Sequence, residues 1–149
     1  MSHKAKGSSY ERKIANYLWE EGGFAVLRGC SSGGGVRRRY VPDIVATING
    51  KTLVIEVKYR AREGGTIYIE GGDKYARLLE FARRASGGAA YVAVKYGSDK
   101  WRVIPAEKLE RTGGEGNMAV RPSAVAELGM PLEALVASLK NEPLTEFMG

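Results

Sequence analysis

Two short runs carry the side chains whose types and spacing could do chemistry: Pro42-Asp43-Ile44-Val45 and Ile55-Glu56-Val57-Lys58. Carboxylate oxygens are the ligands Mg²⁺ prefers. The ion keeps several waters, so a pair of acids can hold it and still leave room for a phosphate. Bound there, it would polarise a phosphodiester and lower the pKa of a coordinated water. A lysine alongside can stabilise developing negative charge or position the attacking water. The chemistry implied is metal-dependent hydrolysis of a phosphodiester, the work of a nuclease.

That chemistry requires the two runs to meet, and the residues between them bring this about. Asn49-Gly50 separates two β-rich segments and favours a two-residue type I′ hairpin turn. Ile48 then faces Lys51, and counting outward sets Asp43 opposite Glu56. Strand alternation places Lys58 on the face of Glu56 and sends Leu53, Ile55 and Val57 to the other side. A plainer account is a surface hairpin with a cross-strand Glu/Lys arrangement, which contributes little. Against it, two acids directly opposed across a strand pair are destabilising unless something cationic lies between them.

A third acid lies in the first helix. Ser8-x-x-Glu11 has the form of a capping box opening a helix from about Ser9 to Glu21, with Gly22-Gly23 as its stop. Glu11 could serve that cap alone. It also falls at i with Ile14, Ala15 and Leu18 at i+3, i+4 and i+7, so it continues the apolar stripe that faces the sheet. From there it can reach the metal patch.

The remaining elements read as an α/β domain with a central mixed sheet flanked by helices. A strand near Phe24 to Arg28 precedes a long Gly/Ser/Arg loop and the hairpin of residues 43 to 59. Asp73 caps a second helix to about Arg84, with Tyr75, Leu78, Leu79 and Ala82 on its buried side. Ala89 to Tyr96 is a central strand, and Lys100 to Ile104 returns beside it through Gly97-Ser98-Asp99. The strand, helix, strand order from Ile55 to Val94 implies a parallel pair. After a polar Gly-rich break at 112 to 117, Met118 to Arg121 reads as a short strand and Pro131 to Leu139 as a helix.

The chain of 149 residues, 44% hydrophobic, suits a single domain with its own core. The N-terminal residues 1–7 and the tail 140–149 are expected to be mobile. No apolar run approaches a membrane span and no signal-peptide core opens the chain, so a soluble, cytoplasmic protein is expected. A lone Cys30 and a lone His3 exclude an internal disulfide, a Cys/His nucleophile pair of ordinary kind and a zinc site. Gly33-Gly34-Gly35 lacks the spacing of a P-loop.

Charge is uneven. Residues 1 to 62 hold twelve Lys and Arg against five Asp and Glu, a net of +7, and residues 63 to 149 hold eleven against twelve, a net of −1. Arg37, Arg38 and Arg39 lead into Asp43, Arg28 precedes them, and Arg60 and Arg62 follow Lys58. A solvated basic face is the usual fate of such a run. Flanking both carboxylates, these cations instead suit a phosphate backbone, whose condensed counterions they would release.

At these residues the sequence resembles the PD-(D/E)-x-K nuclease superfamily, and more closely the archaeal Holliday junction resolving enzymes. The likeness runs through Gly7-Ser8-Ser9-Tyr10-Glu11-Arg12, Leu18-Trp19-Glu20-Glu21-Gly22, Phe24-Ala25-Val26-Leu27-Arg28, Ser32-Gly33-Gly34 and Pro42-Asp43-Ile44-Val45-Ala46, over roughly residues 4 to 105. The resemblance implies a restriction-endonuclease-like fold and a homodimer that resolves four-way DNA junctions with Mg²⁺, Mn²⁺ being expected to substitute. It implies metal ligation by Asp43, Glu56 and Glu11, action of Lys58 on water or the transition state, and a loop serine that positions the scissile backbone. Ser32 matches that serine best, with Ser31 beside it as the alternative. The loop from Gly33 to Val41 varies in this family, so no individual arginine role carries over. Another nuclease of the superfamily and a non-catalytic branched-DNA-binding module are the competing readings.

The tail Asn141-Glu142-Pro143-Leu144-Thr145-Glu146-Phe147-Met148 resembles a sliding-clamp binding motif, with Leu144, Phe147 and Met148 as its apolar anchors. Asn141 stands where that motif has glutamine, and Met148 where it has a second aromatic. The alternative is a terminus that frays or packs on its own domain.

Overall fold

The computed structural model describes residues 3–29, 40–61, 65–69, 74–85, 88–111 and 118–140. In chain order it holds α1 (His3–Glu20), β1 (Ala25–Arg28), β2 (Ile44–Ile48), β3 (Lys51–Arg60), β4 (Ile67–Ile69), α2 (Lys74–Arg84), β5 (Gly88–Tyr96), β6 (Arg102–Pro105), a 3₁₀ turn (Ala106–Lys108), β7 (Glu110–Arg111), β8 (Met118–Val120), α3 (Pro122–Leu128), β9 (Met130–Pro131) and α4 (Leu132–Lys140).

The hairpin is the organising unit. Asn49 and Gly50 both adopt positive φ, 50° and 74°, the requirement of a type I′ turn. That turn pairs Ile48 with Lys51 and carries the antiparallel register out through Ala46↔Leu53 to Ile44↔Ile55. β3 then runs parallel to β5 from Thr52↔Gly88 to Arg60↔Tyr96, the crossover passing through β4 and α2. The six-stranded mixed sheet has the order β1-β2-β3-β5-β6-β9.

Alternation divides the core into two layers. Leu53, Ile55, Ala93 and Val103 pack beneath α1 and α4 with Ile14, Leu18, Leu132 and Val136. Val54, Val92, Val94 and Ile104 face the opposite way, onto Leu78 and Ala82 of α2 and Val125 of α3. Fully burying one such aliphatic side chain contributes roughly 1.5–3 kcal/mol. Both layers therefore fix the sheet between its helices, and β3 crosses the boundary between them.

Several features depart from the sequence reading, among them the unexpected α3 and Pro131, which pairs with Arg102 in β9 and leaves α4 to begin at Leu132. α1 begins at His3 rather than about Ser9, so Ser8 is interior to the helix and forms no capping box with Glu11. Lys4, Ala5 and Lys6 are helix-compatible residues that extend it. A second sheet, β4-β8-β7, joins the expected strand β8 to two strands that the sequence did not signal. It pairs Ile67↔Val120 and Tyr68↔Ala119 antiparallel and lies against the α2 layer through buried Ile67, Ile69 and Val120. Asp73, the expected cap of α2, lies outside the described residues.

Candidate active site

Asp43 precedes β2 by one residue. The register of the hairpin, continued one step past Ile44↔Ile55, sets it opposite Glu56. Its carboxylate Oδ2 accepts a 2.8 Å hydrogen bond from the backbone N–H of Val57, so the side chain continues the ladder where backbone pairing ends. The approach is anchored from β1, because the N–H of Gly29 donates to the carbonyl of Asp43 at 2.8 Å. A Cβ at Gly29 would stand 2.1 Å from the carbonyl oxygen of Pro42, so glycine is needed for the two chains to pass.

Glu56 is buried, 2% exposed, and is the buried charged residue of the described core. Such a charge costs several kcal/mol unless it is paired and hydrogen-bonded. Among the described residues three side chains supply that pairing. The Tyr40 hydroxyl donates to Oε2 at 2.9 Å. Lys74 Nζ stands 2.7 Å from Oε1, and Lys58 Nζ 3.7 Å from the same oxygen. Lys58 shares the face of Glu56 by strand alternation, as expected. Tyr40 and Lys74 had no sequence signal: one lies at the edge of a loop, the other opens α2, and packing alone brings them in.

The electrostatics follow from crowding acids into a partly dry space. Burial, with the charge of Glu56 next, pushes the Asp43 carboxyl up to about 7, against the opposing hydrogen bond from Val57. Burial also raises Glu11, with Arg28 pulling it down and Glu56 adding to the rise. Burial disfavours the charged form of Lys74, but the Glu56 charge and hydrogen bond outweigh it, so its pKa is raised and it stays protonated. Tyr40 is pushed up by burial and by Glu56, which keeps its phenol a donor.

Glu11 continues the buried stripe of Ile14, Ala15 and Leu18. Among the described residues it pairs with Arg28, whose guanidinium lies 3.6 Å from Glu11 Oε2 and also donates to Ser8 at the backbone carbonyl, 3.0 Å, and at Oγ, 3.2 Å. Arg28 thus ties β1 to α1 as well as standing near the acids. Among the described residues no three His, Cys, Asp or Glu side chains come together as a metal set. Asp43 and Glu56 meet, and Glu11 stays with Arg28.

The pair fits a hard divalent cation. Its donors are carboxylate oxygens, and the burial and neighbouring Glu56 charge that raise Asp43 are what a bound cation would offset. Water and a substrate phosphate would complete the shell, the usual pattern for Mg²⁺.

Of the other predicted residues, Arg60 closes β3 and is exposed. Ser31, Ser32, Arg37, Arg38, Arg39, Arg62, Leu144, Phe147 and Met148 lie outside the described residues.

Comparison with known proteins places the chain in a family. Chains named crossover junction endodeoxyribonuclease Hjc are similar to it throughout. That of Sulfurisphaera tokodaii is 41% identical over 141 residues, covering 95% of this chain and 92% of the relative. That of Archaeoglobus fulgidus is 39% identical over 144 residues, covering 96% and 98%. The solved structure of Archaeoglobus fulgidus Hjc, described as a Holliday junction resolvase from an archaeal hyperthermophile, superposes with a TM-score of 0.74 at 35% identity, covering 87% of this chain and 99% of that one. The mixed sheet with flanking helices is thus the restriction-endonuclease-like fold expected. With the family model for archaeal Holliday junction resolvases matching residues 2–143, the acid pair and its lysine sit in a chain that belongs to the Hjc family.

Proposed function

We propose that this protein is a divalent-metal-dependent endonuclease that resolves four-way DNA junctions by phosphodiester hydrolysis, with Asp43, Glu56 and Lys58 at its centre. The observation that carries this reading is the hairpin register that sets Asp43 opposite Glu56, in a chain whose family is that of the archaeal resolvases.

Asp43 and Glu56 would hold a Mg²⁺ or Mn²⁺ ion, which when bound supplies charge at the phosphodiester and acidifies a water. Tyr40 holds Oε2 of Glu56 by its hydrogen bond and so fixes the carboxylate plane. The backbone of Val57 fixes Asp43. Lys58 presents an ammonium where negative charge develops as the phosphoryl group is attacked. Glu11, with Arg28, borders the centre and adjusts its charge. Ser32 would position the scissile backbone, and Arg37, Arg38, Arg39, Arg60 and Arg62 would hold phosphates along the arms.

A four-way junction is nearly two-fold symmetric, so paired cuts on opposite strands call for two like centres, which an isologous homodimer supplies. Trp19 and Leu27, 63% and 74% exposed, are large apolar residues available to such an interface. Leu144, Phe147 and Met148 support a sliding-clamp contact by their spacing alone. No helix of the described residues is long and apolar enough to cross a membrane.

The test is a nicking assay with Mg²⁺ on a four-way junction, a flap and a linear duplex. Preferential paired cutting of the junction is expected. Equal cutting of all three would favour a general repair nuclease, and binding without cutting at any metal concentration would favour a DNA-binding module.

A further inference from the structure

Beside the acid pair, a cavity of about 540 Å³ is lined by Lys58, Tyr59, Arg60, Ile67, Tyr68 and Lys74. It shares Lys58 and Lys74 with the centre and extends away from it along the end of β3. Its volume falls in the range of about 300–1,000 Å³ typical of small-ligand sites. Among the described residues three cations line it: Lys58, Arg60 and Lys74. Tyr68 of β4 lines it as well.

Tyr68 is 44% exposed between Ile67 and Ile69, each 1% exposed. The strand is pinned by those two anchors and by pairing Tyr68↔Ala119, so the ring is held outward. A large aromatic held open beside three cations is the pairing that single-stranded nucleic acid uses, with its base on the ring and its phosphate on the cations.

We propose that this cavity is the subsite for an unstacked nucleotide adjoining the cleaved bond, Tyr68 stacking on the base and Lys74 with Arg60 holding the phosphate. The proposal rests on the nuclease reading and deepens it, since it assigns branch selectivity to a particular residue. Inside a continuous duplex both faces of a base are covered by neighbours, and extruding it costs a few kcal/mol. At a branch point the stack is interrupted on one side. A base there leaves at lower cost, so an aromatic platform rewards branched DNA over linear DNA. The small sheet β4-β8-β7 supplies the rigid support on which that platform stands.

The experiment is photocrosslinking of the full-length protein, in Ca²⁺, to four-way junctions carrying 5-iododeoxyuridine at successive positions from the branch. Adducts are mapped by mass spectrometry, and the affinity of Tyr68→Ala and Tyr68→Phe for junction and linear duplex is measured alongside. Adducts on Tyr68 are expected from a base within about two nucleotides of the cleaved bond, and none from linear duplex. Tyr68→Ala should weaken junction binding roughly tenfold, in keeping with base stacking on an aromatic ring. Its binding to duplex should stay within about twofold, and Tyr68→Phe should match the parent on both. Absence of a Tyr68 adduct from every position, or equal loss on both DNAs in Tyr68→Ala, would overturn the subsite. Cleavage of the junction by the parent protein in Mg²⁺ would meanwhile keep the nuclease reading intact. A parent that cuts no DNA with any divalent metal would overturn both.

Discussion

Lys74 Nζ lies 2.7 Å from Oε1 of Glu56, closer than the 3.7 Å of Lys58, the lysine that the motif itself supplies. Among the described residues the ammonium of α2 is therefore the closer cation at a buried carboxylate that is also the proposed metal ligand. A cation arriving at Glu56 must share or displace it.

This competition can be measured. Lys74→Met should raise the affinity for Mn²⁺ of the DNA-free protein several-fold, read by calorimetry or paramagnetic relaxation. It should also lower the metal-free unfolding free energy by about 1–3 kcal/mol. Breaking a fully buried ion pair costs about 3–5 kcal/mol, and the partial exposure of Lys74 reduces that. Unchanged metal affinity together with unchanged stability would mean that the contact is incidental.

The raised Asp43 makes a signed prediction for pH. Below the ordinary carboxylate range the acid is protonated in both folded and unfolded chains and costs nothing. As pH rises from about 4 towards 7 the unfolded chain ionises first, so the metal-free fold loses stability across that window and levels off above it. Asp43→Asn should therefore be more stable than the parent at pH 8 without metal by up to about 4 kcal/mol, and equal to it near pH 3. Metal affinity of the parent should climb through pH 7 with release of a proton. A stability difference independent of pH would contradict the assignment.

Much of the site was legible because a two-residue turn fixes everything outward from it. Asn49-Gly50 admits positive φ at both positions, and the register that follows set Asp43 opposite Glu56 without knowledge of any distant contact. The parallel β3–β5 pair and the buried face of α2 followed from crossover order and helical periodicity. Tyr40 and Lys74 were not legible, since each reaches Glu56 through tertiary packing across 16 or more residues. The Ser8-x-x-Glu11 pattern misled because a capping box and a helix interior can share the same four residues. Tyr68 was hidden in a strand of three residues, too short for alternation to stand out.

Glu11 separates two roles. Glu11→Gln should slow junction cleavage by about tenfold or more while leaving the melting temperature unchanged or slightly higher, because a neutral amide is spared the burial that raises the acid. Normal cleavage would leave Glu11 as a partner of Arg28 alone.

Neutralising Arg37, Arg38 and Arg39 together should weaken binding to junction, flap and duplex alike. The slope of log affinity against log salt should fall by about one unit per lost phosphate contact. An unchanged slope would show that the loop does not meet the backbone.

The most direct measurement is single-turnover cleavage of a four-way junction by Asp43→Asn and Glu56→Gln in Mg²⁺, with junction affinity determined on the same samples. Removing either carboxylate weakens metal binding and also removes a negative charge facing phosphate. The predicted result is cleavage reduced by at least about a thousandfold with junction binding equal to or tighter than that of the parent. Near-parental cutting by both variants would contradict the assignment of Asp43 and Glu56 as the metal-binding centre.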